Sequence, residues 1–524
     1  MSAMPLVSSL LAGIALLQTP AWPQTRAERT EFRETSTYAD VVEFLHGLQR
    51  SGAPISIKWM GESTEGRPMP LVIASRPLVT TSAQAKASGK PIVYIQANIH
   101  AGEVEGKEAA LALLRQYCRE EKGILDKMIL LVVPIYNLDG NEKFGPGTRN
   151  RPGQTGPESV GVRANGQGLD LNRDCIKAES PEMRAVLKHV YSWDPDVVFD
   201  LHTTDGTRHG YQLTYSPGLH PNTDPTVRKF TQDELMPKVR REVAKSGLRL
   251  FDYGNAARRA EKPVWETFGY EGRYVSNYGG LRGRISILSE AMNSEPFRAR
   301  VEDTETFVNA CLVELGRQAK RVMEMTRNAD MRAVDGASIA PEMGVRYEMA
   351  SRGDEPVLLE KAAGGRRTGP ITDWEAIKMP VYDRFTATRT SKLPQAYLVP
   401  SSAVKVVQLL RLHGVKVERL AEPWAGLAET FAISEAVVAP SPFQGHRLVR
   451  LEGKFVGANT TVEAGSYLVR TAQPLAALVF DLLEPESLDG VVSWGLFGED
   501  WSNIKAYPIQ KVFRPVRVAS VEVP

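Results

Sequence analysis

Two apolar runs that each end on a histidine constrain most strongly how this chain can fold. Residues 92–99 form a nearly unbroken apolar run followed at once by His100, and residues 197–201 are followed by His202. Such runs are typical of strands that are buried on both faces of a sheet. Because helix-like segments separate the runs, the pattern predicts an α/β domain with a mixed, largely parallel central sheet flanked by helices.

Polar residues stand at or just past the ends of four predicted strands: His100, Asn137, His202 and Glu290. Open α/β sheets bind ligands outside the carboxyl ends of their strands. Although the four residues come from well-separated parts of the chain, this rule places them on one edge of the sheet. That edge is the predicted functional site.

Alternating segments support this fold between residues 37 and 330. Further strands are predicted at residues 55–59, 70–74, 128–136 and 285–290. Apolar residues at helical spacing predict helices at 39–48, 104–118, 227–246 and 297–325, the third of them kinked or broken at Pro237.

The pattern changes after about residue 335, where short strand-like runs dominate at 345–349, 396–399, 448–451 and 466–470, with one helix-like run at 404–413. We therefore divide the chain into a signal peptide (1–24), a catalytic domain (25–334) and a β-rich C-terminal accessory domain (335–524). Trp424, Trp494 and Trp501 are interpreted as core residues rather than as a sugar-stacking surface.

The net charge and the amino-terminal sequence limit which binding partners and which cellular compartment we expect. The formal net charge is +2, from 64 basic and 62 acidic residues, which favours neither nucleic acid nor an anionic membrane as partner. The apolar run 6–17 has the length of a signal-peptide core, although no Lys or Arg precedes it, and the alternative is a buried helix or a disordered start. We expect a periplasmic or secreted protein without a membrane span. The oligomeric state stays open.

Three cysteines, Cys118, Cys175 and Cys311, show no CxxC pair, so a structural zinc site is not expected. Whether two of them form a disulfide is left open by the sequence.

His100, Glu103 and His202 are the predicted metal ligands. Two imidazoles and one carboxylate are the protein ligands of a catalytic zinc that keeps a position open for water. His209 and His220 are rival third ligands, but a strand end fixes the direction of His202. The alternative is a strand-end histidine beside a helix-start glutamate that the helix dipole favours. Manganese, cobalt or nickel would fit the same ligands in vitro.

Further motifs carry polar groups to the same edge. Arg173 beside Asn172 offers a fork of donors suited to a carboxylate; the alternative is a surface ion pair of Arg173 with Asp170 or Asp174. Glu290 ends an apolar strand, where burial should raise its pKa toward the range of a general base. The alternative for Glu290 is an exposed helix-start carboxylate.

The ordered motifs resemble those of the zinc carboxypeptidase family, the carboxypeptidase A-like metallopeptidases. They are His100-x-x-Glu103, Asn137-Leu138-Asp139-Gly140, Asp170-Leu171-Asn172-Arg173, Asp200-Leu201-His202 and Ser289-Glu290. The resemblance covers roughly residues 37–325 and is strongest to the exported bacterial branch, which often carries an extra carboxy-terminal region.

The resemblance implies a role for each matching residue. His100, Glu103 and His202 would bind Zn²⁺, and Glu290 would act as general base and then as acid. Asn172 and Arg173 would hold the terminal carboxylate of the substrate. Asp170 would orient His100.

An arginine should also stabilise the oxyanion, and a tyrosine should lie near the substrate. For the arginine, Arg149, Arg151 and Arg163 compete, with Arg151 favoured. For the tyrosine, Tyr278 is chosen from a set that also contains Tyr270 and Tyr274.

The expected function is that of a zinc metallocarboxypeptidase that hydrolyses a C-terminal peptide bond. The context Asp200-Leu201-His202-Thr203-Thr204 is also similar to that of related deacylases, so the alternative is an amide hydrolase acting on N-acyl amino acids or cell-wall peptides. A binding protein on a peptidase scaffold is the non-enzymatic alternative. The glycine-rich stretch 278–283 is interpreted as a loop that alters the side-chain pocket.

Overall fold

The structure, a computed structural model, describes residues 21–339, 341–361 and 369–523. The apolar run 6–17, on which the predicted signal peptide depends, lies outside these residues. None of the helices that the structure describes is both long and apolar enough to cross a membrane.

Helices lie in both halves of the chain. The α-helices of the described residues, labelled in chain order, are α1 (Arg26–Arg29), α2 (Tyr38–Arg50), α3 (Ser82–Ala87), α4 (Glu105–Arg119), α5 (Ile124–Lys127), α6 (Leu138–Glu142), α7 (Gly147–Asn150), α8 (Pro181–His189), α9 (Pro225–Lys229), α10 (Met236–Ala244), α11 (Val275–Leu281), α12 (Phe297–Arg317), α13 (Ala319–Gly336), α14 (Val404–Leu412) and α15 (Ala476–Leu483). Short 3₁₀ turns occupy Leu171–Arg173 and Tyr191–Trp193, and a π-helical segment, Phe230–Leu235, joins α9 to α10.

The strands of the same residues are β1 (Ile55–Glu62), β2 (Pro68–Ala74), β3 (Ile92–Ala97), β4 (Ile129–Val133), β5 (Gly145–Pro146), β6 (Ser159–Val160), β7 (Val197–Thr204), β8 (Leu213–Pro217), β9 (Leu250–Asp252), β10 (Asn255–Arg259), β11 (Lys262–Glu266), β12 (Ile285–Met292), β13 (Glu342–Glu360), β14 (Trp374–Lys392), β15 (Ala396–Val399), β16 (Glu418–Leu420), β17 (Trp424–Val438), β18 (Val449–Val462), β19 (Tyr467–Arg470), β20 (Ala506–Val512) and β21 (Ser520–Glu522).

An eight-stranded mixed sheet in the order β1-β2-β4-β3-β7-β12-β8-β9 forms the centre of the N-terminal region. Strands β4, β3, β7 and β12 are parallel neighbours, whereas β2 and β8 run antiparallel to β4 and β12. Every residue of the four parallel strands is buried, because helices including α4, α11 and α12 pack against the sheet. The predicted mixed α/β fold is therefore confirmed.

The helix predicted over 227–246 is divided directly before Pro237, in agreement with the expected break: the π-helical segment Phe230–Leu235 ends there, and α10 begins at Met236 with Pro237 in its first turn. A second predicted helix differs from the structure. The predicted helix 297–325 is instead two helices that meet at Gln318, and the second continues to Gly336.

The C-terminal region is β-rich, as predicted. A long hairpin, β13–β14, joins β10 and β11 in a four-stranded sheet through a parallel pairing of β14 with β11. The remaining strands form a seven-stranded sheet in the order β18-β17-β20-β15-β19-β16-β21.

One hydrophobic cluster extends through both regions, from Val41 to Ile509 in the sequence. Trp494 and Trp501 belong to this cluster, in agreement with their interpretation as core residues, and Trp424 is partly buried against a smaller one. All three cysteines are buried and free. The two regions therefore share a core.

Candidate active site

The three predicted metal ligands converge at the carboxyl edge of the sheet. His100 follows β3, Glu103 precedes α4 and His202 lies in β7. The Nδ1 atom of each histidine lies 3.0 Å from a different carboxylate oxygen of Glu103. One donor atom from each of the three buried residues lies within 4.8 Å of the other two.

A second carboxylate holds the far nitrogen of each histidine. His100 Nε2 lies 3.0 Å from Asp170 Oδ1, and His202 Nε2 lies 2.7 Å from Asp200 Oδ2. These contacts turn both Nδ1 atoms toward Glu103 and raise their basicity. Two nitrogens and a carboxylate at this spacing fit a single Zn²⁺ with an open coordination position.

The charges around the cluster keep Glu103 ionised. Burial alone would raise its pKa, but the Arg151 guanidinium and the hydrogen bonds from the two histidines hold the pKa of Glu103 well below its usual range. Burial likewise opposes the charged form of His202, yet Asp200 and Glu103 raise the pKa of His202 well above its usual value. A cation at this position therefore meets a carboxylate that is already negative.

Glu290 lies beside this cluster. It pairs in register with His202 across the parallel strands β12 and β7, and it is 9% exposed. Burial raises the pKa of Glu290 to about 8, while the positive charge of His202 offsets part of that effect. The structure thus excludes the exposed helix-start alternative for Glu290.

A polar cavity of about 210 Å³ opens onto the cluster. Most of the predicted site residues line it. The lining comprises His100, Glu103, Arg163, Asn172, Arg173, Asp200, His202, Thr203, Thr204, Asp205, Tyr253, Phe268, Tyr274, Ser276, Leu288 and Glu290.

Arg173 is held at this cavity by an aromatic ring and by the backbone carbonyl of the preceding residue. Its guanidinium lies 4.6 Å from the centre of the Tyr274 ring, and Nη1 donates to the carbonyl of Asn172 at 2.8 Å. The Asn172 side chain accepts a hydrogen bond from the Val275 backbone. Arg173 makes no ion pair with another described residue, so the surface ion-pair alternative is wrong.

The two arginines expected near the oxyanion occupy different places. Arg163 lines the cavity with 44% of its side chain exposed and lies 2.9 Å from Asp170. Arg151 is buried outside the lining, where it contacts Glu103, Asp205 and the carbonyl of Thr203. For the role of oxyanion donor, the geometry therefore favours Arg163 over Arg151, the residue that the sequence favoured.

Tyr278 does not reach the cavity, contrary to expectation. Its side chain is fully buried in α11, and its hydroxyl contacts His413 and accepts a hydrogen bond from Arg282. The glycine-rich stretch expected to be a loop is largely this buried helix. Tyr274, an alternative considered from the sequence, and Tyr253, which was not considered, line the cavity instead.

Residues 41–183 match the family model described as zinc carboxypeptidase, and this stretch contains His100, Glu103 and the Asp170–Arg173 motif. The chain contains a domain of the zinc carboxypeptidase family. This assignment confirms the expected class of enzyme, a zinc metallocarboxypeptidase, and its cofactor, Zn²⁺.

Curated relatives extend over both regions of this zinc carboxypeptidase. Carboxypeptidase 2 of Trichophyton tonsurans is 25% identical over 95% of this chain and 91% of the relative. Carboxypeptidase 2 of Trichophyton equinum is 25% identical over 92% of this chain and 88% of the relative. The placement in an exported bacterial branch stays a prediction.

Among solved structures, a metallo-carboxypeptidase from Burkholderia cenocepacia superposes with a TM-score of 0.40 at 19% identity, covering 54% of this chain and 70% of that chain.

Proposed function

We propose that this metallocarboxypeptidase removes the carboxy-terminal residue of a peptide, with Glu290 as general base. The observation that carries the proposal is one cavity lined by the His100–Glu103–His202 cluster, by Glu290 and by Arg173. A metal site, a buried carboxylate and a fixed guanidinium are the groups that hydrolysis next to a free carboxylate requires.

Arg173 and Asn172 bind the terminal carboxylate of the substrate in this proposal. A guanidinium presents two parallel donors that match the two oxygens of a carboxylate. Packing on Tyr274 restricts the guanidinium before substrate arrives. The substrate is thereby oriented with its last peptide bond toward the metal cluster.

In the proposed reaction, Glu290 transfers a proton from the attacking water to the leaving nitrogen. His100, Glu103 and His202 would hold the zinc, which would act as a Lewis acid on the scissile carbonyl and make water more acidic. Glu290 accepts the proton of the attacking water and then donates it to the leaving nitrogen. Arg163, at the cavity wall, donates hydrogen bonds to the oxygen on which negative charge develops.

An N-acyl amino acid is the second candidate substrate, because it also ends in a free carboxylate that Arg173 would bind. The Thr203–Thr204 pair at the cavity wall, similar to that of related deacylases, favours this alternative. A cell-wall peptide would present the same group.

A substrate panel separates the candidates. We would incubate the zinc-loaded enzyme with peptides in matched free-acid and C-terminal amide forms, with N-acyl amino acids and with muropeptides, and identify products by mass spectrometry. The expected result is loss of single residues from free-acid peptides and resistance of the amides. Cleavage of acyl amino acids without cleavage of peptides would replace the proposal with the deacylase alternative.

Substitution Glu290→Gln tests the general base. We expect kcat to fall by about three or more orders of magnitude, since both water activation and leaving-group protonation are lost. The zinc content should not change, because Glu290 is not a ligand. Glu302→Gln makes the same change at an exposed position of α12 and should leave kcat unaltered. Near-full activity of the Glu290 variant would refute the assigned role.

Export is a separate proposal that depends on the apolar run 6–17. We expect a periplasmic or secreted mature protein that begins near residues 21–24. Amino-terminal sequencing of the protein from its native host would measure this directly, and an intact start at Met1 would contradict it.

A further inference from the structure

A loop of the C-terminal region reaches the residues that orient the active site. It connects β17 to β18, and at its tip Gln444 adopts a left-handed φ of 50°. The Gln444 side-chain oxygen accepts a hydrogen bond of 2.8 Å from the backbone N–H of Asp170, 274 positions earlier in the sequence. The two regions are therefore joined directly at a residue that contacts a metal ligand.

Asp170 connects several parts of the active site at once. Its carboxylate lies 3.0 Å from His100 Nε2 and 2.9 Å from the Arg163 guanidinium. The same carboxylate accepts a hydrogen bond from the Asn172 backbone at 2.9 Å. A displacement of the Asp170 backbone would consequently move both a zinc ligand and the carboxylate-binding pair.

His446 holds the far end of the same segment. Its Nε2 lies 2.7 Å from Glu179 Oε1, and Glu179 contacts Lys177, which also pairs with the buried Asp174. The Lys177 ammonium lies 5.7 Å from the centre of the Trp494 ring. The stretch 170–179 is thus fixed from the C-terminal side at both ends.

A third set of contacts supports the ring beneath Arg173. Arg273, which precedes Tyr274, pairs with buried Asp489 at 3.0 Å. Its guanidinium lies 5.3 Å from the Phe443 ring centre and 5.0 Å from that of Trp494. Arg273 is only 7% exposed, so this packing restrains the backbone that carries Tyr274.

We infer that the C-terminal platform, defined as residues 443–446 together with Asp489 and Trp494, completes the active site, and that Gln444 is a positioning residue for Asp170. The platform touches neither the metal ligands nor the cavity. It acts by holding the two segments that carry Asp170, Arg173 and Tyr274. The expected kinetic effects rest on the proposed function, whereas the expected effect on zinc affinity does not.

Three variants test Gln444. Gln444→Met keeps the length of the side chain and removes the acceptor, while Gln444→Glu keeps an acceptor. Gln408→Met makes the first change at an exposed position of α14. Each full-length protein is examined for zinc affinity by chelator competition, for kcat and KM on a free-acid peptide, and for its thermal unfolding midpoint.

We expect Gln444→Met to weaken zinc binding about 3- to 10-fold and to raise KM by a similar factor. These effects lie at or below the lower end of those seen when a metal ligand loses its direct hydrogen-bond partner, because Gln444 acts through Asp170. Its unfolding midpoint should stay within about 2 °C, since a half-exposed hydrogen bond contributes little to global stability. Gln444→Glu should restore zinc affinity to within about twofold, because its carboxylate accepts the same bond. Gln408→Met should match the wild type.

Two results would overturn the inference. Unchanged zinc affinity and KM in Gln444→Met would show that the hydrogen bond positions nothing. Weaker zinc binding and a higher KM that accompany a lower unfolding midpoint, without rescue by Gln444→Glu, would show a merely structural role. Chelator competition needs no substrate, so a changed zinc affinity in an enzyme that cleaves no peptide would refute the proposed function and leave this inference standing.

Discussion

At the scale of single residues, two carboxylates outside the metal cluster set the direction of its histidines. Asp200 and His202 are two positions apart in β7, so they share one face of the strand. Asp170 reaches His100 from a loop instead. His202 is therefore oriented by a residue of its own strand. His100 depends on the loop that carries Asp170, and contacts from the C-terminal region hold that loop in place.

Arg163 and Arg151 should fail in different ways when substituted. Arg163 lines the cavity, so Arg163→Ala removes the proposed oxyanion donor and should lower kcat about 10²- to 10³-fold. Arg151 is buried against Glu103, so Arg151→Ala removes one of the charges that compensate this buried carboxylate and should lower the free energy of unfolding by about 3 kcal/mol. Steady-state kinetics and denaturant unfolding of both variants measure this. The opposite assignment of effects would contradict the placement.

Strand ends explain which site residues were predictable. His100, His202 and Glu290 follow or end apolar runs, and a buried strand fixes where its end points. The stretch that begins at Tyr278 was expected to be a loop because it is rich in glycine, whereas close packing of α11 requires these glycines: a Cβ at Gly279 would lie 2.7 Å from the Ser286 hydroxyl. Local sequence does not distinguish these two uses of glycine.

At the scale of elements, the contact between α4 and β7 sets the width of the metal site. Glu103 stands just before α4, and His202 lies in β7. The two elements approach at Gly106, where an added Cβ would lie 2.7 Å from Leu201 Cβ and 3.2 Å from its carbonyl oxygen. Only glycine permits this approach, so the helix cannot carry a larger residue there without moving away from the strand.

Gly106→Ala should therefore change both stability and metal binding. We expect a loss of about 1–3 kcal/mol in the free energy of unfolding, as for other overpacked sites, together with weaker zinc binding. Gly336→Ala is the matched control, because a Cβ there meets nothing within 4 Å; it should be neutral or stabilise by up to about 1 kcal/mol. Equal behaviour of the two variants in denaturant unfolding would refute the close approach.

Fully buried strands were predictable, and strands that depend on distant partners were not. The run that forms β12 is mostly apolar in its first half and was recognised. In contrast, β10 has mostly exposed or half-buried residues, including Arg258 and Arg259. It pairs with β11, which joins it to β14 and β13 far along the chain. Such non-local pairing leaves no periodic signal in the local sequence.

At the scale of the whole molecule, a buried histidine connects the two regions. His413 follows α14, and its Nε2 donates to the carbonyl of Ile176 at 2.9 Å while Nδ1 lies 2.7 Å from the Tyr278 hydroxyl. Burial lowers the pKa of His413 to about 4. The neutral ring, with a proton on Nε2 alone, satisfies both contacts at neutral pH.

This histidine predicts a loss of stability in acid. Its pKa is lower in the folded chain than in the unfolded chain, so the unfolded chain binds the extra proton first as pH falls. The contribution is complete above pH ~6.5 and is lost toward pH ~4, by about 2–3 kcal/mol at pH ~4.5. His413→Gln does not titrate, so the difference in unfolding free energy between the two proteins should shift by this amount between pH ~7 and ~4.5. A difference independent of pH would contradict the prediction.

The division of the chain at residues 334–335 was inferred from a change in composition. In the structure, a helix and a hydrophobic cluster both extend across this boundary. Helix α13 continues to Gly336, and the common hydrophobic cluster joins residues such as Tyr278 and Val406. Composition reveals where strands replace helices. It does not reveal which surfaces become a shared core, because that depends on contacts across long stretches of chain.

The central claim is that His100, Glu103 and His202 hold one zinc ion. The most direct test of this claim compares the wild type with Glu103→Gln. The number of zinc ions per folded chain is measured by mass spectrometry after dialysis against limiting zinc. We predict one zinc per wild-type chain, with activity lost to a chelator and restored by one equivalent, and no stable zinc in the folded variant. A wild-type chain that holds no stoichiometric zinc, or a variant that holds as much as the wild type, would contradict the account.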